Sequence, residues 1–149
     1  MCFIYSCFFL TLLGYHSVDQ LAAGVKLLDS NGTVFSIMNV YKLPEYKVVK
    51  MVRILPNAIA DGLPTKTTYL KPTQYIKLNG TVIRVKDLVE IYGTAEYERF
   101  NILHFYLINV EPLSEDNREI NEFVTCNGLQ ISVYNTRHPL NNRFKKYAQ

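Results

Sequence analysis

Residues 74–85 read QYIKLNGTVIRV, and the Asn79-Gly80 pair at their centre decides the fold class. A two-residue hairpin turn of the primed type needs positive φ at both central residues, a conformation that Asn and Gly enter at little cost. With Asn79-Gly80 as the loop, Leu78 faces Thr81, Ile76 faces Ile83 and Gln74 faces Val85, while Tyr75 faces Arg84 on the opposite side. One face is then apolar and the other amphipathic, as a strand pair covering a core requires, and a slip of one residue would exchange the two.

The same dipeptide recurs at Asn127-Gly128 and Asn31-Gly32. Around Asn127-Gly128 the register sets Cys126 opposite Leu129 and Val124 opposite Ile131, with Phe123 and Ser132 on the other face. Around Asn31-Gly32, pairing Val25 to Ser30 with Thr33 to Met38 sets Leu28 opposite Phe35 but Lys26 opposite Ile37. Neither face is clean there, so this hairpin is expected near an edge. The equal spacing of the three turns is recurrence of a hairpin and not duplication, because the segments between them share neither charge nor pattern.

Between the turns, Lys47 to Leu55 (KVVKMVRIL) is a β-branched run of strand length. Phe100 to Val110 (FNILHFYLINV) is apolar on both alternating faces and is expected to be the central, most buried strand. Residues 57–73 read as a long surface connection. Ser17 to Ala23 and Leu88 to Tyr92 carry capping-box spacing for short helices. The expected architecture is mostly β: a single antiparallel β-barrel or sandwich built from hairpins, with one or two short helices. The chain divides into an apolar N-terminal segment (1–23), a β domain (24–135) and a basic C-terminal tail (136–149).

At 149 residues with 48% hydrophobic side chains, the chain is long enough for one domain with its own core. The net charge of +3 is unevenly spread. Residues 1–86 carry ten basic against four acidic side chains, and residues 87–122 carry two against nine. Such segregation makes a two-signed surface unless folding interleaves the segments.

Met1 to Val18 carries no formal charge, and Cys2 to Leu13 is nearly continuous apolar sequence. It reads either as a secretory signal or anchor, with the small residues Ala22-Ala23-Gly24 behind it, or as a buried first strand. Cleavage would make the protein secreted, and the other reading leaves it intracellular. Membrane contact arises only if this segment is an anchor. In a secreted chain, Asn31 and Asn79, each in an Asn-Gly-Thr sequon at a turn, are N-glycosylation candidates.

Groups for catalysis are sparse. Cys2 and Cys7 fall in the apolar run, and Cys126 is the lone thiol of the body, read as a buried strand-end residue. No nucleophile elbow, phosphate loop or metal-ligand spacing occurs, and His104, in the central strand, reads as a core residue. No catalytic residue, metal or cofactor is assigned, and an enzyme is disfavoured. The leading expectation is a non-catalytic binding or interaction module whose partner is another protein. The alternative is an OB-like binder of single-stranded nucleic acid, in which aromatic and basic residues (Tyr46, Lys47, Lys50, Arg53, Tyr75, Lys77 and Arg84) form a stacking and phosphate-tracking groove. The second alternative is a small secreted glycoprotein.

Overall fold

The structure is a computed structural model that describes residues 3–4, 7–114 and 121–138. Its ten described strands are β1 (Phe8–Thr11), β2 (Gly14–Ser17), β3 (Lys26–Leu28), β4 (Val34–Ile54), β5 (Thr68–Leu70), β6 (Tyr75–Leu78), β7 (Thr81–Arg84), β8 (Glu96–Val110), β9 (Asn121–Cys126) and β10 (Leu129–Asn135). A single 3-10 turn (Val18–Gln20) and one helical turn, α1 (Asp87–Glu90), complete the described elements. Both fall where capping-box spacing predicted them, and the Gln20 side chain accepts from the Ser17 N–H at 3.1 Å. None of the described helices is long and apolar enough to cross a membrane.

Six strands close on themselves. β1 pairs β3, β3 pairs β4, β4 pairs β8, β8 pairs β10, β10 pairs β9, and β9 returns to β1. The all-β fold is therefore a barrel and not a sandwich. The closing β8–β10 pair is parallel, through Tyr134↔Asn109 and Asn135↔Val110, while the other five are antiparallel. Closure gives each of the six ring strands a partner on both sides, leaving the sheet's edges to the added strands. The β6–β7 hairpin extends from β10, β2 from β1 and β5 from β4.

Two of the three hairpins keep the register read from the sequence. Leu78↔Thr81, Ile76↔Ile83 and Tyr75↔Arg84 hold around Asn79-Gly80, and Cys126↔Leu129, Val124↔Ile131 and Phe123↔Ser132 hold around Asn127-Gly128. Asn79 and Asn127 both adopt positive φ, 48° and 50°, followed by Gly80 at 78° and Gly128 at 85°, as the primed turn demands.

The first hairpin differs by one residue. Leu27 and not Leu28 pairs with Phe35, and Lys26 pairs with Ser36. The cause is Asp29, whose Oδ1 accepts the N–H groups of Asn31 and Thr33, both at 2.8 Å. That carboxylate makes a longer loop, with only Gly32 at positive φ (80°), more favourable than a two-residue turn. In this register Leu27, Phe35 and Ile37 are buried, so the hairpin has a clean inner face and forms part of the barrel wall.

β8 is the central strand expected, flanked by β4 and β10. Its two faces serve two apolar clusters. Ile108 and Val110 face the main core with Phe9, Ile76, Val124 and Ile131, whereas Ile102, Phe105 and Leu107 pack with Tyr41 and Met51 in a second cluster. Ile102 and Ile108 have the same alternation parity yet serve different clusters. The register shift in the β4–β8 ladder between Pro44 and Lys47 is the physical reason, since a bulge bends and twists the ribbon locally.

The described part of the N-terminal apolar run is built into the barrel. Phe3, Cys7 and Phe9 are fully buried, and the Phe3 and Phe9 rings meet edge to face at 4.8 Å. β1 therefore lies ahead of the 24–135 span while forming part of the ring. The basic residues of the tail beyond 138 and the acidic segment 115–120 lie outside the described residues.

Candidate functional site

The described basic and aromatic residues singled out in the sequence fall into two groups. Lys50 and Arg53 lie on β4, Tyr75 and Lys77 on β6 and Arg84 on β7, and β8 and β10 stand between the two groups in the sheet. Each cation is held by local neighbours. Arg53 pairs with Glu96 at 2.7 Å and with Glu98 at 3.8 Å. Lys50 Nζ sits 4.2 Å from the centre of the Tyr97 ring, and Lys77 Nζ 4.7 Å from that of Phe123. Arg84 stacks on Tyr75 at 4.6 Å and donates to its hydroxyl at 2.7 Å, the cross-strand pair expected from the register. The side chains of Tyr46 and Lys47 lie outside the described ones. Asn31 and Asn79 are exposed at their turns.

A different group of residues converges where β1 enters the barrel. The sequence assigned Cys7 to an apolar leader and Cys126 to a strand end, which placed them in separate parts of the chain. In the structure Phe9 of β1 pairs with Cys126 of β9, so the two thiols come together in the main core, each fully buried. Both are free thiols, and Cys7 Sγ also lies 3.8 Å from the carbonyl oxygen of Tyr69 on β5.

The Cys126 thiol is pushed well above its ordinary value. Burial is the main cause, followed by a hydrogen bond with the Cys7 side chain and by the charge Cys7 would carry, while the Phe8 N–H opposes them. Burial thus keeps the Cys126 thiol protonated beside Cys7, whose own thiol donates to the Tyr69 carbonyl.

The backbone around Cys7 is held at every described point. Its N–H donates to Ile4 O at 3.1 Å, and its carbonyl accepts from the Val18 N–H at 3.0 Å. Asn127, 1% exposed, faces the next residue twice: its N–H donates to Phe8 O at 2.9 Å, and its Oδ1 accepts from the Phe8 N–H at 3.1 Å. Its Nδ2 donates to Thr68 Oγ1 at 2.8 Å, and the Thr68 hydroxyl in turn donates to Lys66 O at 2.9 Å. The Asn127 carbonyl accepts from the Thr65 N–H at 2.9 Å. Residues 65–70, read in the sequence as surface connection, thus reach inside to support β1, and Thr68 and Leu70 are fully buried.

Among the described residues no three His, Cys, Asp or Glu side chains gather at metal-ligand spacing. What the arrangement offers is a pair of buried thiols whose flanking peptide groups are fixed by hydrogen bonds.

No known protein family matches the chain, and no curated protein sequence is significantly similar to it. Solved structures do share the fold. The MchDnaB-1 intein superposes with a TM-score of 0.53 at 10% identity, over 89% of this chain and 99% of that one. Its N145AA variant reaches 0.55 at 11% identity, over 90% and 99%. The bacterial intein-like domain from Clostridium thermocellum reaches 0.54 at 10% identity, over 90% and 98%.

The barrel is therefore an intein-like fold. Inteins are self-splicing, catalytic domains. This overturns the expectation of a non-catalytic interaction module, and neither the OB-like nucleic-acid binder nor the small secreted glycoprotein fits it. The sequence reading went astray for a physical reason. Residues that meet in this fold are not neighbours in sequence: Phe8 of β1 and Asn127, in the turn after β9, are 119 positions apart and hydrogen-bonded.

Proposed function

We propose that this chain is a self-processing domain that rearranges the peptide bond preceding Cys7. A cysteine thiol reaches the carbonyl carbon of the preceding residue through a five-membered ring. Attack by Cys7 Sγ on the Ser6 carbonyl forms the S–C bond and breaks the Ser6–Cys7 C–N bond, and the thiol proton passes to the Cys7 nitrogen. The product is a thioester on Cys7 and a free α-amine. A second nucleophile, such as a thiol or water, then releases the segment ahead of Cys7 from that thioester.

The observation that carries this reading is the buried Cys7 thiol beside the Cys126 thiol at the start of a barrel strand, with the peptide that follows Cys7 fixed by Val18 and Asn127. A donor S–H stabilises developing negative charge on the attacking sulfur in a site from which water is excluded. Intein-like architecture supports the same reading, since inteins act on the peptide bonds of their own chain.

The test is a reporter protein fused ahead of Met1 of the full chain and incubated with dithiothreitol or hydroxylamine. The expected result is release of the reporter ending at Ser6, identified by intact mass, and complete loss of release in Cys7→Ala. Absence of cleavage at Ser6–Cys7 in the unsubstituted chain rejects the proposal.

A further inference from the structure

We infer that Asn127 is the positioning residue for the thioester step, and that Thr68 keeps its carboxamide in place. This rests on the reading of Cys7 as the nucleophile. The peptide unit that follows Cys7 is gripped at both ends: its carbonyl by the Val18 N–H at 3.0 Å and its N–H, that of Phe8, by Asn127 Oδ1 at 3.1 Å. With the following carbonyl also held by the Asn127 N–H at 2.9 Å, the backbone torsions on the C-terminal side of Cys7 are fixed, and with them the direction of its Cα–Cβ bond.

A turn alone does not call for this arrangement. Asn79 occupies the same primed-turn position at φ 48° and is exposed, whereas Asn127 at φ 50° is 1% exposed. An amide side chain is the one that serves here. Its oxygen must accept from Phe8 while its nitrogen donates to Thr68 Oγ1 at 2.8 Å, and Thr68 is oriented to accept because its own proton goes to Lys66 O. Attack through a small ring tolerates little misorientation, and a displacement of about 1 Å at a reacting group costs on the order of 100-fold in rate.

Asn127→Gly isolates the side chain. Glycine accepts the positive φ and retains both backbone hydrogen bonds of position 127, losing only the carboxamide. In the reporter fusion, the cleavage rate rises with dithiothreitol and levels off where thioester formation becomes limiting. Asn127→Gly lowers that plateau about ten- to hundredfold, with circular dichroism showing retained fold. Thr68→Val, which removes the acceptor, lowers it in the same direction, and Thr68→Ser, which restores a hydroxyl, recovers most of the loss. If Asn127→Gly does not fold, the Thr68 pair carries the test. An unchanged plateau in folded Asn127→Gly, or in Thr68→Val when that pair is used, overturns the positioning role and leaves the thioester reading standing. A wild-type fusion that is never cleaved removes both.

Discussion

Burial governs how Cys126 titrates. The Cys126 thiol is raised well above its ordinary value of 9.0, so the folded protein holds that proton at pH values where the unfolded chain releases it. The sign follows directly: the unfolded state binds fewer protons, and stability falls as pH rises above about 9. One proton corresponds to a slope of about 1.4 kcal/mol per pH unit in that window. Urea denaturation between pH 8 and pH 11 should therefore show a decline that becomes shallower by up to this amount in Cys126→Ala. Equal slopes in the two proteins would remove the raised titration of Cys126. In the sequence, Cys126 was legible as a buried strand-end residue, because it closes an apolar hairpin face. Its pairing with Cys7 was not, since nothing in residues 2–13 marks a cysteine there as anything but part of an apolar run.

Among the elements, hairpins were legible to the extent that the turn controls the register. Asn-Gly sets it at 79–80 and 127–128, where Asn and Gly both take the positive φ of the two-residue turn. At 31–32 a residue two positions upstream decides instead, because the Asp29 carboxylate accepts two turn N–H groups at 2.8 Å and selects a longer loop. Asp29→Ala should cost about 1–2 kcal/mol, the loss of hydrogen bonds to a charged acceptor at a partly exposed turn, measured as a shift in the urea midpoint. Asp29→Asn, which keeps an acceptor oxygen, should lose less than half of that. A register change in Asp29→Ala toward Leu28↔Phe35 would expose Leu27, and amide NOE contacts across β3 and β4 would report it. The 57–73 segment was misread for a related reason. Its Pro, Gly and Thr content describes the turns it contains, while Thr68 is bonded by Asn127, 59 positions away, and Leu70 pairs with Val52 and enters the main core.

For the whole molecule, closure of the six-strand ring places the side chains of distant strands in one interior. Ile108 of β8 and Ile131 of β10 are both fully exposed to that interior and hidden from solvent at 0%. Ile108→Ala should destabilise by about 2–5 kcal/mol through lost burial and the cavity left behind, read from chemical denaturation. Hydrogen exchange should follow the same geometry. Amides of the β4–β8 ladder exchange slowest, and those on the outer edges of β2 and β7, which end the sheet, exchange fastest. Fast exchange in β8 would contradict a closed barrel.

By itself the sequence determined the β class, two of the three hairpin registers, the short helical turns and the burial of β8, because each follows from turn stereochemistry or from alternation within about a dozen residues. Ring closure, the single parallel pair and the meeting of Cys7, Thr68, Cys126 and Asn127 belong to the tertiary structure. They depend on which strand edges find each other across the chain, and backbone hydrogen bonds between strands leave no residue-specific mark. The Cys7 site is such a long-range object: Ile4 and Val18 hold it from nearby, while Asn127, supported by Thr68, reaches it from the far end of the described chain.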